Sequence, residues 1–180
     1  MRWGLVPAWA QDLKIGAHMI NARAETVATK PAFRSAYRHR RCLILADGFY
    51  EWQKSSKGNQ PYYIQPTQRP LFCFAGLWES WADSTTPQPD NRESTNIVET
   101  CCIITTAPND RMVTIHDRMP VILDEPAQQL WINRDANSTV LQQLLIPCPP
   151  TDIRIDPVSK QVNKAGNNDP GCIEPIVLET

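Results

Sequence analysis

The chain has 180 residues, 42% of them hydrophobic and 21% charged, with a formal net charge of −1. This composition suits one soluble globular domain over residues 1–180, and no apolar run approaches the roughly 20 residues that a membrane-spanning helix needs. Sixteen prolines against seven glycines predict loops and short elements rather than long helices. Because the start lacks a signal-peptide pattern, we expect a cytoplasmic protein.

The small net charge hides a difference between two parts of the chain. Residues 1–60 carry ten Lys and Arg against four Asp and Glu, whereas residues 61–180 carry eight against fifteen. The densest basic cluster, residues 33–41 (FRSAYRHRR), holds four arginines and one histidine. Two interpretations stay open: a solvated helix end whose cations suit the C-terminal dipole, or a contact with phosphates.

Strands dominate the first half of the chain. Strands are predicted at residues 2–6, 42–46, 49–53, 62–65 and 71–78, and a short helix at residues 31–38, where Pro31 suits the first turn. The segments 49–53 and 62–65 flank the turn sequence SSKGN (residues 55–59), which predicts a hairpin. With the strand that follows, this hairpin predicts a β-meander.

The second half begins with a polar segment that contains two prolines, residues 80–96, and we expect a mobile surface loop there. The elements that follow it are, in chain order, a strand at 100–106, a short helix at about 109–114, an apolar run at 119–123, a helix from 124 through 131, a short helix at 140–145 and a strand at 153–158. The elements together predict an α+β fold, one domain built on a mainly antiparallel, barrel-like sheet.

Six cysteines lie mostly inside apolar, strand-like segments. We expect buried reduced thiols rather than disulfides. The chain has no Cys-x-x-Cys pair, and the adjacent Cys101 and Cys102 would point to opposite faces of a strand. We therefore predict no metal site, and nothing in the sequence calls for another cofactor.

Glu51 stands out as a carboxylate among aromatic residues, in ADGFYEW (residues 46–52). On an alternating strand it shares a face with Phe49. Its aromatic neighbours should raise its pKa, so that it exchanges a proton near neutrality. A half-buried structural ion pair with Arg23 or Arg118 is the alternative.

Two further polar groups lie inside or beside apolar segments, Asn21 with Arg23 in MINARAET and His116 in IHDRMPVIL. Burying such groups unpaired is costly, so we expect these groups and Glu51 to meet one another or a ligand. His116 changes protonation near pH 7, which makes it a candidate acid or base. A satisfied surface histidine is the alternative.

Five of the six tryptophans occur in the first 81 residues, beside most of the arginines. Aromatic surfaces near positive charge suit single-stranded nucleic acid, although we assign at least half of these rings to core packing. Trp3 and Trp9 are our candidates for contact with DNA.

Five segments in this order resemble the SRAP family, the SOS-response-associated peptidases that process abasic sites. They are RWGLVPAW (2–9), NARAET (21–26), RRCLILADGFYEW (40–52), GLWE (76–79) and IHDRMPVIL (115–123). The resemblance implies a β-rich protein of the DNA damage response that binds single-stranded DNA and joins itself covalently to the sugar aldehyde of an abasic site. The family's nucleophile is a cysteine after the initiator methionine, whose amine forms an imine and whose thiol closes a thiazolidine.

The resemblance also implies roles for matching residues. Glu51 matches the catalytic glutamate that moves protons in imine formation and in removal of the initiator methionine. His116 matches the histidine that assists ring opening and reversal of the crosslink, and Asn21 the asparagine that orients the reacting group. Arg23 and Arg118 match arginines that hold phosphates beside the lesion.

Family members carry their nucleophilic cysteine at position 2, but here that position is Arg2 and no cysteine precedes Cys42. We therefore expect a chain that lacks the family's N-terminal segment and nucleophile. A lysine or the α-amine of Met1 can still form an imine and cut the strand by β-elimination. A non-catalytic, single-stranded DNA-binding remnant is the alternative function. We expect a monomer that associates with the nucleoid when it acts on DNA.

Overall fold

The strands fall into two sheets that pack on each other. The computed structural model describes residues 1–54, 56, 58–83 and 96–178. Its strands are β1 Arg2–Trp3, β2 Asn21–Arg23, β3 Arg41–Ala46, β4 Phe49–Gln53, β5 Gln60–Pro66, β6 Phe72–Asp83, β7 Asn96–Thr106, β8 Met119–Pro120 and β9 Ile153–Pro157. Its α-helices are α1 Arg34–His39, α2 Glu125–Ile132 and α3 Ser138–Gln143. Short 3-10 helices occur at Leu13–His18, Met112–Thr114, Pro150–Asp152, Lys160–Asn163 and Pro170–Cys172.

Sheet A has the strand order β1-β7-β6-β3, with β2 and β8 also paired to β7, and sheet B has the order β4-β5-β9. All pairs are antiparallel except those of β1 and β2 with β7. The predicted α+β, mainly antiparallel fold is confirmed. In the part of the chain described, the two sheets stay open instead of closing into one barrel. No helix in these ranges is both long and apolar enough to span a bilayer.

Sheet A is covered on both faces. Towards sheet B, the ring of Phe49 lies 6.0 Å from that of Phe72 and 5.8 Å from that of Phe74, and Ile64 is fully buried with them. On the opposite face, the three helices bury a larger cluster that includes Tyr37, Leu77, Cys102, Ile104, Trp131 and Leu141. The inner face of sheet B is thus fixed against sheet A by apolar contact.

The β4–β5 hairpin is confirmed, but the predicted meander is wrong. Strand β9 occupies the other edge of β5, and β6 pairs with β3 and β7 in sheet A. Residues 67–71 carry the chain from one sheet to the other. This crossing lets Ile64 of β5 pack on Phe72 and Phe74 of β6, so each sheet buries the apolar face that a flat meander would leave exposed.

The predicted strand at residues 2–6 is also wrong beyond Trp3. Gly4 adopts a φ of +110°, and a Cβ there would lie 2.4 Å from the carbonyl oxygen of Gly16. The turn therefore requires glycine. The chain leaves the sheet at this point, and Leu5 and Val6 are both fully buried instead of alternating.

Several predicted boundaries shift. Residues 31–33 form a turn before α1, and α3 begins at Ser138 instead of 140 because the Asn137 side chain accepts the backbone N–H of Thr139. The predicted helix at 109–114 is only the 3-10 helix Met112–Thr114, and β2 was missed. The ends of the predicted loop 80–96 belong to β6 and β7, and residues 84–95 lie outside the described residues, as do Ser55 and Lys57 of the predicted turn.

Arg41, in the basic cluster 33–41, hydrogen-bonds the C-terminal ends of two helices. It donates hydrogen bonds of 2.6–2.8 Å to backbone carbonyl oxygens at the ends of α1 and α2, those of Tyr37, Arg38, Trp131 and Asn133. Arg40 forms an ion pair of 2.6 Å with the buried Glu79. For Arg41 the helix-end interpretation is nearer the structure, although its side chain is partly buried. Arg40 fits neither interpretation, because it pairs with a carboxylate of β6; Arg34, Arg38 and His39 are exposed.

We expect Arg41→Met to lower the free energy of unfolding by about 2 kcal/mol, because up to four carbonyl oxygens lose a charged donor. This corresponds to a fall in Tm of about 4–8 °C for a chain of this size, measurable by circular dichroism. Arg38→Met removes an exposed arginine of the same cluster and should change stability by less than about 0.5 kcal/mol. Equal Tm values for the two variants would contradict this account of Arg41.

Candidate functional site

Glu51 lies on the inner face of sheet B. It shares that face with Phe49, as predicted, and its side chain is 22% exposed. Burial raises the pKa of Glu51, while the nearby His116 and the backbone N–H of Trp52 lower it and Asp117 raises it further. The net direction is upward, as the sequence predicted. Glu51 is therefore a carboxyl group suited to exchanging a proton.

His116 lies in the connection between β7 and β8 and faces Glu51. Its Nδ1 is 3.9 Å from Oε1 of Glu51 and 3.4 Å from Oδ1 of Asp117. The backbone N–H of Arg118 donates to the same Nδ1 at 3.1 Å. A ring nitrogen accepts a hydrogen bond only where it carries no proton. When protonated, Nδ1 can donate to the carbonyl oxygen of Arg118 at 3.2 Å.

Gln53 connects the strand of Glu51 to the segment of His116. Its Nε2 donates to the carbonyl oxygen of Thr114 at 2.8 Å, and its Oε1 accepts from the hydroxyl of Tyr62 at 3.1 Å. Gln53 is two residues from Glu51 and on the same strand face. The spacing between the two candidate proton-transfer groups is therefore fixed by hydrogen bonds as well as by packing.

Trp3, Asn21 and Arg23 form a row along β7. They are opposite residues 101, 103 and 105 of that strand, so all three lie on one face, about 7 Å apart from one to the next. This face is the one towards sheet B, because Ile103 packs into the cluster between the sheets. Asn21 and Arg23 are exposed, and neither side chain forms a hydrogen bond with a residue that the structure describes.

The five tryptophans of the first 81 residues differ in exposure, and Trp52 and Trp78 are only partly buried. Trp3 and Trp9 are 57% and 62% exposed, whereas Trp81 is buried. The indole N–H of Trp3 donates to the carbonyl oxygen of Ile20 at 2.9 Å. This hydrogen bond holds the ring at the residue that precedes Asn21. The two rings assigned to DNA contact are thus open to solvent.

Arg118 pairs with Glu25 and not with Glu51. Its guanidinium donates to the two carboxylate oxygens of Glu25 at 2.7 and 3.1 Å and to the carbonyl oxygen of Thr105 at 2.6 Å. The hydrogen bond from Arg118 lowers the pKa of Glu25. The alternative of an ion pair between Glu51 and Arg23 or Arg118 is not what the structure has, since Glu51 faces His116.

The sequence analysis missed Glu25 and Gln53. The pattern of strand alternation could have identified both. Glu25 continues the series Asn21-Arg23, and Gln53 follows Glu51 by two residues, so each pattern places polar groups on one face. Alternation does not predict which distant residue each of them contacts, Arg118 for Glu25 and Thr114 for Gln53.

All six cysteines are free. Cys101 and Cys102 lie on opposite faces of β7, the first partly buried and the second fully. Burial raises the pKa of the Cys42 thiol to about 12 and that of Cys148 to about 11, and it also raises the pKa of Cys73, Cys101 and Cys102. Within the ranges described, no three His, Cys, Asp or Glu side chains group so as to hold a metal ion.

The family model described as SOS response associated peptidase (SRAP) matches residues 1–165. This chain belongs to the SRAP family. Abasic site processing protein YoqW of Bacillus subtilis (strain 168) is 46% identical over 176 residues, which cover 97% of this chain and 75% of that protein. Abasic site processing protein HMCES of Xenopus tropicalis is 34% identical over 200 residues, which cover 99% of this chain and 57% of that protein.

Solved structures share the SRAP chain's fold. A protein from Bacteroides thetaiotaomicron superimposes with a TM-score of 0.86 at 28% identity, over 97% of this chain and 75% of that one. A protein from Bordetella bronchiseptica, at 24% identity, gives a TM-score of 0.72 over 88% of this chain and 75% of that one. The arrangement of the two sheets is thus common to proteins of distant sequence.

We expect Glu51→Gln to be more stable than the wild type at pH 8, with a difference that shrinks towards pH 4. The folded protein holds the Glu51 proton more tightly than the unfolded chain does, since the pKa is raised above the ordinary value of 4.5. Wild-type stability therefore falls as pH rises through that raised pKa. Glutamine does not ionise, so the Glu51→Gln variant does not lose stability in this way as pH rises.

Urea unfolding at several pH values measures the effect. Glu99→Gln, which removes an exposed carboxylate from β7, controls for the loss of one negative charge. A difference between Glu51→Gln and the wild type that stays constant with pH, or shrinks as pH rises, would show that burial does not raise the pKa of Glu51.

Proposed function

We propose that this chain processes abasic sites in single-stranded DNA. The observation that carries the proposal is the Glu51–His116 pair, 3.9 Å apart between the two sheets, in a family whose relatives are named abasic site processing proteins. An abasic sugar in its open form exposes an aldehyde. Chemistry at an aldehyde requires groups that give and take protons, and a half-buried carboxyl group beside an imidazole suits this role.

The proposed reaction begins when an amine adds to the aldehyde carbon C1′. Glu51 in its protonated form donates to the resulting hydroxyl, which leaves as water, and an iminium ion remains. His116 then removes a proton from C2′. The C3′–O bond breaks, and the 3′ phosphate departs with the electron pair. Asn21, exposed and without a hydrogen-bond partner among the described residues, orients the sugar.

We propose an amine as the attacking group because the thiols of residues 1–180 are poorly suited to attack. The thiolate is the reactive form of cysteine, and burial raises the pKa of five thiols while the sixth, Cys172, is buried.

The row along β7 supplies the proposed contact with DNA. Trp3 of this row and Trp9, in the turn that follows β1, offer exposed rings for stacking, worth about 1–3 kcal/mol per base. The guanidinium of Arg23, which has no partner among the described residues, suits a phosphate. The same surface would serve a non-catalytic single-stranded DNA-binding protein, which is the second candidate function. Binding alone does not distinguish the two, whereas strand cleavage does.

The first test is a denaturing gel of the chain incubated with a single-stranded oligonucleotide that carries one abasic site. We expect cut DNA, and with borohydride a trapped protein–DNA band, because borohydride reduces an imine to a stable amine. Glu51→Gln should lower the cleavage rate by about 10²-fold or more. An undamaged oligonucleotide and Glu99→Gln are the controls.

Three results would count against the proposed mechanism. Binding without cleavage or trapping would favour the non-catalytic alternative. An unchanged cleavage rate in Glu51→Gln would remove Glu51 from the reaction. A heat-stable band without borohydride would indicate a thiazolidine-type crosslink instead of an amine-based cleavage.

We expect Arg23→Ala to weaken binding to any single-stranded oligonucleotide, with or without an abasic site, because a phosphate contact carries no sequence information. The slope of log K against log salt should fall by about 0.7, the value for one phosphate on a single strand. Fluorescence anisotropy at several salt concentrations measures both quantities. Lys164→Ala, an exposed cation after β9, should leave the slope unchanged; an equal change in both variants would remove the special role of Arg23.

A further inference from the structure

We propose that a cavity on the outer face of sheet B binds a primary alkylammonium ion, either a free amine or the side chain of a lysine in a partner protein. The cavity has a volume of about 480 Å³ and lies between Tyr50 and Tyr63 of sheet B, the connection from β3 to β4, and residues 162–173. Strand alternation places it on the opposite face of β4 from Glu51. The inference therefore does not rest on the proposed function.

The outer wall of the cavity is the C-terminal segment. Trp52 donates its indole N–H to Oδ1 of Asn163 at 2.7 Å, and Tyr50 donates its hydroxyl to the carbonyl oxygen of Cys172 at 3.4 Å. These contacts hold the segment over sheet B. The SRAP family model ends at residue 165, so most of this wall lies beyond the residues that the model matches. Membership of the family does not by itself imply such a site.

Tyr63 supplies the observation that points to a ligand. It is only 6% exposed, yet its hydroxyl forms no hydrogen bond with a residue that the structure describes. The hydroxyl lies beside Gly48, where a Cβ would be 2.5 Å from its oxygen, and both residues line the cavity. A buried hydroxyl without a partner costs free energy. A polar group of a ligand in the cavity removes that cost.

The charges around the cavity favour a cation. Asp47 and Asp169 line it, and none of the lining residues in the described part of the chain is Lys, Arg or His. Burial raises the pKa of Tyr63, and the negative charge of Asp47 raises it further, so the Asp47 carboxylate lies close to the unpartnered hydroxyl. Oδ1 of Asp169 accepts the backbone N–H of Gly171 at 2.9 Å, and its second oxygen has no partner among the described residues.

An alkylammonium ion suits these groups better than a metal ion does. The described residues include no group of three His, Cys, Asp or Glu side chains that could hold a metal. The rings of Tyr50 and Tyr63, with centroids 5.2 Å apart, offer apolar surface to an alkyl chain and attract a cation. The three N–H groups of an ammonium can donate to the Asp47 carboxylate and to the Tyr63 hydroxyl oxygen together. The volume is typical of a small-molecule site.

Isothermal titration calorimetry of the full chain at pH 7 in sodium phosphate tests the proposal with two probes, 1,4-diaminobutane and Nα-acetyl-lysine amide. We expect at least one of them to bind once per chain with a Kd of about 1 mM or lower. Butane-1,4-diol has the same carbon chain without the charges and should not bind. Tighter binding of the diamine indicates a free amine as the ligand, and tighter binding of the lysine derivative indicates a lysine of a partner protein.

Two variants locate the binding to this cavity. Tyr63→Phe removes only an oxygen that has no partner among the described residues, so it should leave the Tm unchanged or slightly higher and raise the Kd by about twofold to tenfold. Asp47→Asn, at an exposed position, should raise the Kd by about tenfold or more. Asp135→Asn is the matched control, since it removes an exposed carboxylate that follows α2, on the other side of sheet A. It should change the Kd by less than about twofold, because salt screens distant charges.

Three results would overturn the proposal. The first is that neither amine shows saturable binding, or that the diol binds as tightly as the diamine. The second is that Tyr63→Phe and Asp47→Asn bind as tightly as the wild type. The third is an equal loss of affinity in Asp47→Asn and Asp135→Asn, which would show attraction to the acidic surface in general. None of these measurements uses DNA, so a failure of the proposed function leaves their outcome unaffected.

Discussion

The contact between Phe49 and the rings of Phe72 and Phe74 holds the two sheets together, and the rest of the site depends on it. Strand alternation places Glu51 on the same face as Phe49. The apolar packing that stabilises the fold therefore also brings a carboxyl group out of bulk water, and burial raises its pKa. One physical cause accounts for the position of Glu51 and for its chemistry.

Strand β7 positions the site residues of sheet A. It pairs with β1, β2, β6 and β8, so segments from residues 2 to 120 take their register from a single strand. Trp3, Asn21 and Arg23 share a face because their partners on β7 are two residues apart. The Glu25–Arg118 pair lies at the end of the same strand, where Arg118 donates to the carbonyl oxygen of Thr105. Residues distant in sequence are thus placed by one backbone and not by separate loops.

Local pattern predicted much of the fold, and its failures have physical causes. Alternation and capping predicted the β4–β5 hairpin, α2 and the face of Glu51, since these depend on neighbours in sequence. The meander failed because partner choice depends on which apolar faces meet, and strand 2–6 failed because Gly4 packs against Gly16. In the site, Glu51, His116, Asn21 and Arg23 were predicted to meet one another or a ligand, and the structure shows which pair faces each other, Glu51 and His116.

The arginines show why composition alone misjudges a DNA-binding surface. Residues 1–60 carry a clear excess of positive charge, yet Arg41 closes two helix ends and Arg40 pairs with the buried Glu79. Arg118 is held by Glu25, whereas Arg23 is exposed and has no partner among the described residues. A guanidinium whose N–H groups already donate to carboxylate or carbonyl oxygens has fewer of them left for a phosphate. The charge available to a polyanion is therefore decided by the neighbours of each arginine, which lie far away in the sequence.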